Sequence, residues 1–317
     1  MRNQKLAGYL LGAVAAISYG LNPLFALPLY HAGMDAGSVL FFRYLFGIAI
    51  MAVMLPARGH SFKIKTSEVL PLAVLGVVMG ISSLTLFLSY NYMDAGIAST
   101  ILFVYPVLVA VIMTVFFHER LTWLTTLCIL LATVGISLLY NQGDGLTLSK
   151  VGTALVLVSA LTYAVYLVGI NRGSLQQMPT VKVTFYVLVF SWIVYVVFVL
   201  CNGGLTLPPA DKWYLWGNLL ALGLLPTVVS FLCTTAAIQR IGSTPTAILG
   251  ALEPATAVFF GVTVFGETLT VRSLAGLILI VAAVSMIIAG GSLSHHLTRF
   301  RKLFPKGNHR LFGKTKE

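Results

Sequence analysis

Glu253 stands in the run LGALEPA, flanked by apolar residues and with no basic residue near it in sequence. Thr246 and Gly250 precede it by seven and three positions, so in a helix they share its face. A carboxyl group in such surroundings can bind a substrate amine or carry a proton; a paired or protonated structural glutamate beside Pro254 is the alternative. Arg43, in FFRY, is the only basic residue well inside an apolar run. We read it as a snorkelling or internally paired arginine near one end of its helix.

Hydroxyl and amide residues recur at helical spacing. Ser82, Thr85 and Ser89 form one stripe, Thr227, Ser230 and Thr234 a second, Ser159, Thr162, Tyr163 and Tyr166 a third, and Ser18 and Asn22 a fourth. Each set lies on one helix face. Two readings stand, the wall of a polar cavity or small polar residues at helix–helix contacts. Tyr19, Tyr105, Tyr163 and Tyr166 add rings that can stack on a solute. The candidate substrate-binding residues are therefore Glu253, Tyr105, Tyr19, Asn22, Ser82, Thr85, Ser89, Tyr163, Tyr166, Thr227 and Ser230. Glu253 is also the candidate for proton coupling. Pro106 and Pro254 are expected helix breaks, because a proline inside a helix removes a backbone hydrogen bond. Gly8 with Gly12, and Gly76 with Gly80, have the four-residue spacing of close helix contacts.

The elements that must hold these residues follow from composition. Of 317 residues, 58% are apolar and 9% charged, against roughly 25% charged in a soluble domain. Mean hydropathy is +0.94. So little charge cannot cover a water-facing surface, and lipid is the solvent that tolerates it. The net charge of +11 does not point to nucleic acid. Seven basic residues lie after Gly291, most others sit between apolar runs, and no basic stripe with interleaved aromatics occurs. The tail either lies on the membrane surface as a short amphipathic helix or is disordered. Cys128, Cys201 and Cys233 have no metal or disulfide spacing. No phosphate-binding loop, HExxH or GxSxG motif is present, so we expect no enzyme activity, no cofactor and no metal.

Ten stretches are long and apolar enough to cross a bilayer. They run from Leu6 to Leu29, Ala36 to Leu55, Val69 to Tyr92, Ile97 to Phe117, Trp123 to Tyr140, Val151 to Ile170, Val183 to Cys201, Tyr214 to Ala237, Ala247 to Phe265, and Leu274 to Ala289. With the N-terminus inside, nine loop or terminal basic residues fall inside and three (Lys150, Lys212 and Arg272) outside, before the tail is counted. Asp35, Asp94, Asp144 and Asp211 all fall outside. This bias predicts cytoplasmic termini.

The chain also repeats itself. At an offset of 148, Pro106 meets Pro254, Phe117 meets Phe265, Glu119 meets Glu267, and Leu121 and Thr122 meet Leu269 and Thr270. We expect repeats at 5–141 and 150–291 and a basic tail at 292–317. Each repeat holds five helices, and five is odd, so the second starts from the opposite side of the membrane. Inverted repeats are characteristic of secondary transporters, with the solute site at their interface near the midplane. Glu253 aligns with Tyr105, so the halves are chemically unequal.

The segments FFRYLFG, AGIASTILFVYPVLVAVIMTVFFHERLT and GSTPTAILGALEPATAVFFGVTVFGETLT resemble the drug/metabolite transporter superfamily, in its EamA-type ten-helix branch. The likeness runs from about Leu6 to Gly290. It implies an all-α transmembrane fold of ten helices in two inverted five-helix repeats, cytoplasmic termini, and movement of small metabolites such as amino acids. It implies cavity residues on the first, third, fourth, sixth, eighth and ninth helices. The superfamily's small multidrug branch couples protons through a first-helix glutamate, but no acid lies between Leu6 and Tyr30 here. Its phosphate-sugar carriers need basic cavity residues, and only Arg43 is available. The expectation is a secondary active transporter of small organic solutes in the inner (plasma) membrane, working by alternating access. Its partners are the solute and the bilayer, with neither nucleic acid nor an obligate protein partner. Export is the direction the resemblance favours. A non-transporting membrane scaffold or sensor subunit is the alternative.

Overall fold

The structure, a computed structural model, describes residues 2–93, 98, 101–119, 121–139, 149–172, 174–265, 271–272 and 274–287. Asp94, Asp144, the GETLT segment at 266–270 and the basic tail at 292–317 lie outside the described residues. Every regular element described is helical. The first crossing is a broken pair, α1 (Arg2–Gly20) and α2 (Asn22–His31). Then follow α3 (Ala36–Ala57), α4 (Thr66–Ser89), α5 (Tyr105–Phe117), α6 (Trp123–Leu139) and α7 (Lys150–Arg172). The chain continues with α8 (Thr180–Cys201), α9 (Tyr214–Leu222), a π-helical segment Gly223–Val229, and α10 (Ser230–Ile241). Last come α11 (Ser243–Leu249), α12 (Leu252–Phe265) and α13 (Leu274–Ile287). Among the described residues, six spans are long and apolar enough to cross a membrane as single rods or broken pairs. The fourth, fifth, ninth and tenth crossings are built from the shorter helices.

Local signals explain several ends. The Asp35 carboxylate accepts the Ser38 N–H at 3.1 Å and caps α3. Glu68 reaches back to the Lys65 N–H at 2.9 Å at the start of α4. Gly242, at φ +88°, makes the sharp link from α10 to α11, a conformation that favours glycine.

The helices pack chiefly across the two repeats. The third crossing packs on the sixth and seventh, as the eighth packs on the first and second; the fourth packs on the sixth, as the ninth packs on the first. This exchange is what an inverted pair requires. Small residues permit it. A Cβ on Gly8 would lie 2.6 Å from Ile241, and one on Gly12 2.5 Å from Leu249, so α1 presses against α10 and α11. A Cβ on Gly80 would lie 3.0 Å from Val194, and the Ser191 hydroxyl donates to the Gly76 carbonyl at 2.7 Å, joining α4 to α8. Lipid tails supply no hydrophobic drive between helices, so close backbone approach and interhelical hydrogen bonds do this work.

Candidate functional site

Two helix breaks meet at the centre. The fourth crossing is interrupted by a turn at Phe103–Val104 and the ninth by one at Gly250–Ala251. The expected breaks at Pro106 and Pro254 are therefore displaced: each proline sits in the first turn of the half-helix that follows, where a missing N–H costs nothing. Pro23 does the same at the start of α2. Each of these prolines follows a candidate residue, Asn22, Tyr105 or Glu253.

Tyr105 ties the two breaks together. Its hydroxyl donates to the Ala247 carbonyl at 3.2 Å, satisfying one of the last carbonyls of α11. Its ring stands edge-on to Tyr163, with centroids 4.8 Å apart, and Tyr163 stacks on Tyr166 at 6.1 Å. Beside Tyr105 lies a small cavity, walled by Tyr163, Thr234, Thr246 and Glu253, with Gly12, Ala15 and Ala16 of α1 closing it. It has room for about one water molecule, so this conformation encloses no solute. The Glu253 carboxyl group faces this space from the first turn of α12. It makes no hydrogen bond or ion pair among the described residues. Gly20 lets α1 approach this point, since a Cβ there would lie 2.5 Å from the Glu253 carbonyl.

The structure thus brings Glu253, Tyr105 and Tyr163 into one cavity, with Tyr166 behind them. Thr246 and Gly250 share that wall, although the break at Gly250–Ala251, rather than one continuous helix face, brings them there. Thr234 and the small residues of α1 complete it. They were legible only as the end of a hydroxyl stripe and as a glycine spacing.

The other candidates lie elsewhere. Ser82 and Ser159 clasp each other across the α4–α7 contact: Ser159 donates to the Ser82 carbonyl at 2.8 Å, and Ser82 to the Ser159 carbonyl at 3.0 Å. Thr85 donates to the Ile81 carbonyl at 2.9 Å and Ser89 to the Leu86 carbonyl at 2.6 Å. These hydroxyls serve helix packing and their own backbone, so the α4 stripe does not wall this cavity. Ser230 is buried on α10.

Tyr19, Thr227 and Arg43 form a second group. Arg43 lies two turns into α3 and is completely buried, which overturns the snorkelling reading. It donates from Nε to the Thr227 hydroxyl at 2.7 Å and from Nη2 to the Pro226 carbonyl at 3.1 Å. That carbonyl belongs to the π-helical segment, whose extra residue per turn leaves backbone acceptors for side chains. The Tyr19 ring centroid lies 5.5 Å from the guanidinium carbon. Asn22 opens α2 one turn beyond Tyr19, and its Oδ1 is buried without a hydrogen-bond donor among the described residues.

Known proteins resemble this chain in sequence and fold. The model of the EamA-like transporter family matches twice, at residues 6–141 and 150–289. An uncharacterized transporter of Archaeoglobus fulgidus is 28% identical over 255 residues, covering 80% of this chain and 87% of the relative. The threonine/homoserine exporter RhtA of Salmonella typhimurium is 28% identical over 218 residues, covering 68% of this chain and 69% of the relative. A solved crystal structure superposes with a TM-score of 0.76 at 18% identity, covering 92% of this chain and 98% of that one, a likeness of fold. With a family model matching both halves of a helical, lipid-suited chain, the protein belongs to the EamA-like transporter family and is a multi-pass membrane transporter of small molecules rather than an enzyme.

Proposed function

We propose that this chain exports small organic metabolites, amino acids of the threonine kind among them, across the plasma (inner) membrane as a secondary active transporter. The observation that carries the reading is the carboxyl group of Glu253, without a hydrogen bond or ion pair among the described residues, at a small cavity where the broken helices of two inverted repeats meet. An ionisable group at membrane depth is costly unless it is used. Here it serves either a substrate amine or a transported proton. The repeats at 5–141 and 150–291 rock about this point, and the cavity opens alternately to each side. Tyr105 and Tyr163 shape the solute's apolar part, and Thr234 and Thr246 offer hydroxyls. Tyr19, Asn22, Tyr166, Thr227 and Ser230 act beyond the cavity wall, while Ser82, Thr85 and Ser89 hold the scaffold. Both termini are cytoplasmic, in keeping with the distribution of lysine and arginine. The relationship to a threonine/homoserine exporter supports the substrate class.

The test is transport of radiolabelled L-threonine by purified protein in liposomes, as exchange and as flux driven by a pH gradient. Wild type should do both. Glu253→Gln should keep exchange and lose gradient-driven accumulation. Equal gradient-driven flux in both proteins would remove the coupling role of Glu253, and absence of threonine exchange would remove the substrate class.

A further inference from the structure

Arg43 is a buried cation whose partners among the described residues are all neutral. No carboxylate lies within salt-bridge distance of it among the described residues, and its Nη1, fully buried, has no hydrogen-bond partner. Its neighbours are the Thr227 hydroxyl, the Pro226 carbonyl and the rings of Tyr19, Tyr44 and Phe87, with centroids 5.5, 5.7 and 5.9 Å from the guanidinium carbon. Ring faces and one carbonyl ease a guanidinium's burial but leave its charge uncancelled. Arginine presents a planar fork that suits a carboxylate's two oxygens. Two of its nitrogens are held by the π-helical segment, which fixes the fork's orientation, and Nη1 is left without a hydrogen bond among the described residues.

The position fits a role in the same translocation path. Tyr19 covers Arg43, and the next residue, Gly20, abuts the backbone of Glu253. One step of α1 therefore separates the residue that touches Arg43 from the residue that touches Glu253. The chain turns there at Leu21 and restarts at Asn22–Pro23, so the covering element is itself a helix break. Uncovering the guanidinium therefore requires this junction, and the Tyr44 and Phe87 rings against Arg43, to move.

We propose that Arg43 is the carboxylate-binding subsite of the transport path, opposite Glu253 across Tyr19, so that the preferred solutes carry a carboxylate. This rests on the transporter reading of the central cavity and extends it to the charge of the solute.

The experiment uses the full-length protein in detergent and in liposomes. First, thermal unfolding of wild type is followed with L-threonine, L-threoninamide, lactate and lactamide. The carboxylates should raise the midpoint and their amides should not. Second, the same compounds compete against radiolabelled L-threonine in exchange. Threoninamide should compete at least about tenfold more weakly than threonine, the scale of a lost charge-assisted pair. Third, Arg43→Gln should abolish the difference between acid and amide, while Arg43→Lys should retain part of it. Equal effects of acid and amide on wild type, or no effect of any carboxylate, would overturn the proposal even if Arg43→Gln does not fold. Stabilisation by carboxylates without threonine exchange would uphold the subsite and defeat the amino-acid reading alone. Discrimination that survives in a folded Arg43→Gln protein would assign the carboxylate to another group.

Discussion

Gly250→Ala is the sharpest test of how the two helix breaks fit together. A Cβ at this position would overlap the Tyr105 hydroxyl oxygen and come within 3.0 Å of both Tyr105 Cζ and the Ala247 carbonyl oxygen. Tyr105 has little room to retreat, since the cavity beside it holds only about one water molecule. It is 2% exposed, and its ring is flanked edge-on by Tyr163 at 4.8 Å and by Phe103 at 5.5 Å. The substitution must therefore break the Tyr105–Ala247 hydrogen bond, worth about 0.5–1.5 kcal/mol, and add overpacking of about 1–3 kcal/mol. We expect a loss of about 2–4 kcal/mol. Tyr105→Phe alone should cost about 1 kcal/mol, because it removes the same bond and leaves the ring in place. The double variant should cost about 1–3 kcal/mol, less than the sum, because the phenylalanine lacks the oxygen the new methyl group strikes. The assay is equilibrium unfolding in mixed micelles for the four proteins of the cycle. A Gly250→Ala protein as stable as wild type, or strict additivity in the double variant, would refute the contact between the two breaks.

Two further predictions follow from hydrogen bonds away from the cavity. Removing the α4–α7 clasp with Ser82→Ala and Ser159→Ala together should lower stability by about 1 kcal/mol in the same unfolding assay and leave the affinity for threonine unchanged, since each hydroxyl bonds only to the opposite helix. A changed affinity would return these residues to the solute site. Asp35 predicts an acid response at the α2–α3 turn. Partial burial raises its carboxyl pKa, but hydrogen bonds from Ser38 and Thr206 outweigh this and hold it below the ordinary aspartate value. A group depressed in the folded state stabilises fully above its unfolded value, about 3.9, and loses that contribution as pH falls through the folded one. Wild type should thus lose more stability than Asp35→Asn between pH 6 and pH 3, and parallel pH profiles would show that the carboxylate contributes nothing.

Much of the fold was legible in one dimension because lipid imposes long apolar runs and satisfies no backbone group. Ten crossings, their approximate ends and the 148-residue self-match could be read from residue types alone. Glu253 was legible for the same reason, as an acid where charge is costly. The hydroxyl stripes were not resolved, because serine and threonine at helical spacing suit both a cavity wall and a helix contact. Ser82 and Thr246 look alike in sequence. One faces Ser159 across a helix contact and the other lines the cavity beside Glu253.

Sequence therefore determined the solvent, the number of crossings and the inverted duplication, since each depends on composition or period along the chain. Only the tertiary structure decided which polar residues share a space. Arg43 shows the reason. Its spacing placed it near a helix end, where a snorkelling arginine reaches water. The packing of α3 against the π-helical segment instead bonds it to Pro226 and Thr227, more than 180 residues away in the chain. Long-range contacts of that kind have no signature in local pattern, and they made a residue read as peripheral into a buried charge at the contact of α3 with the π-helical segment.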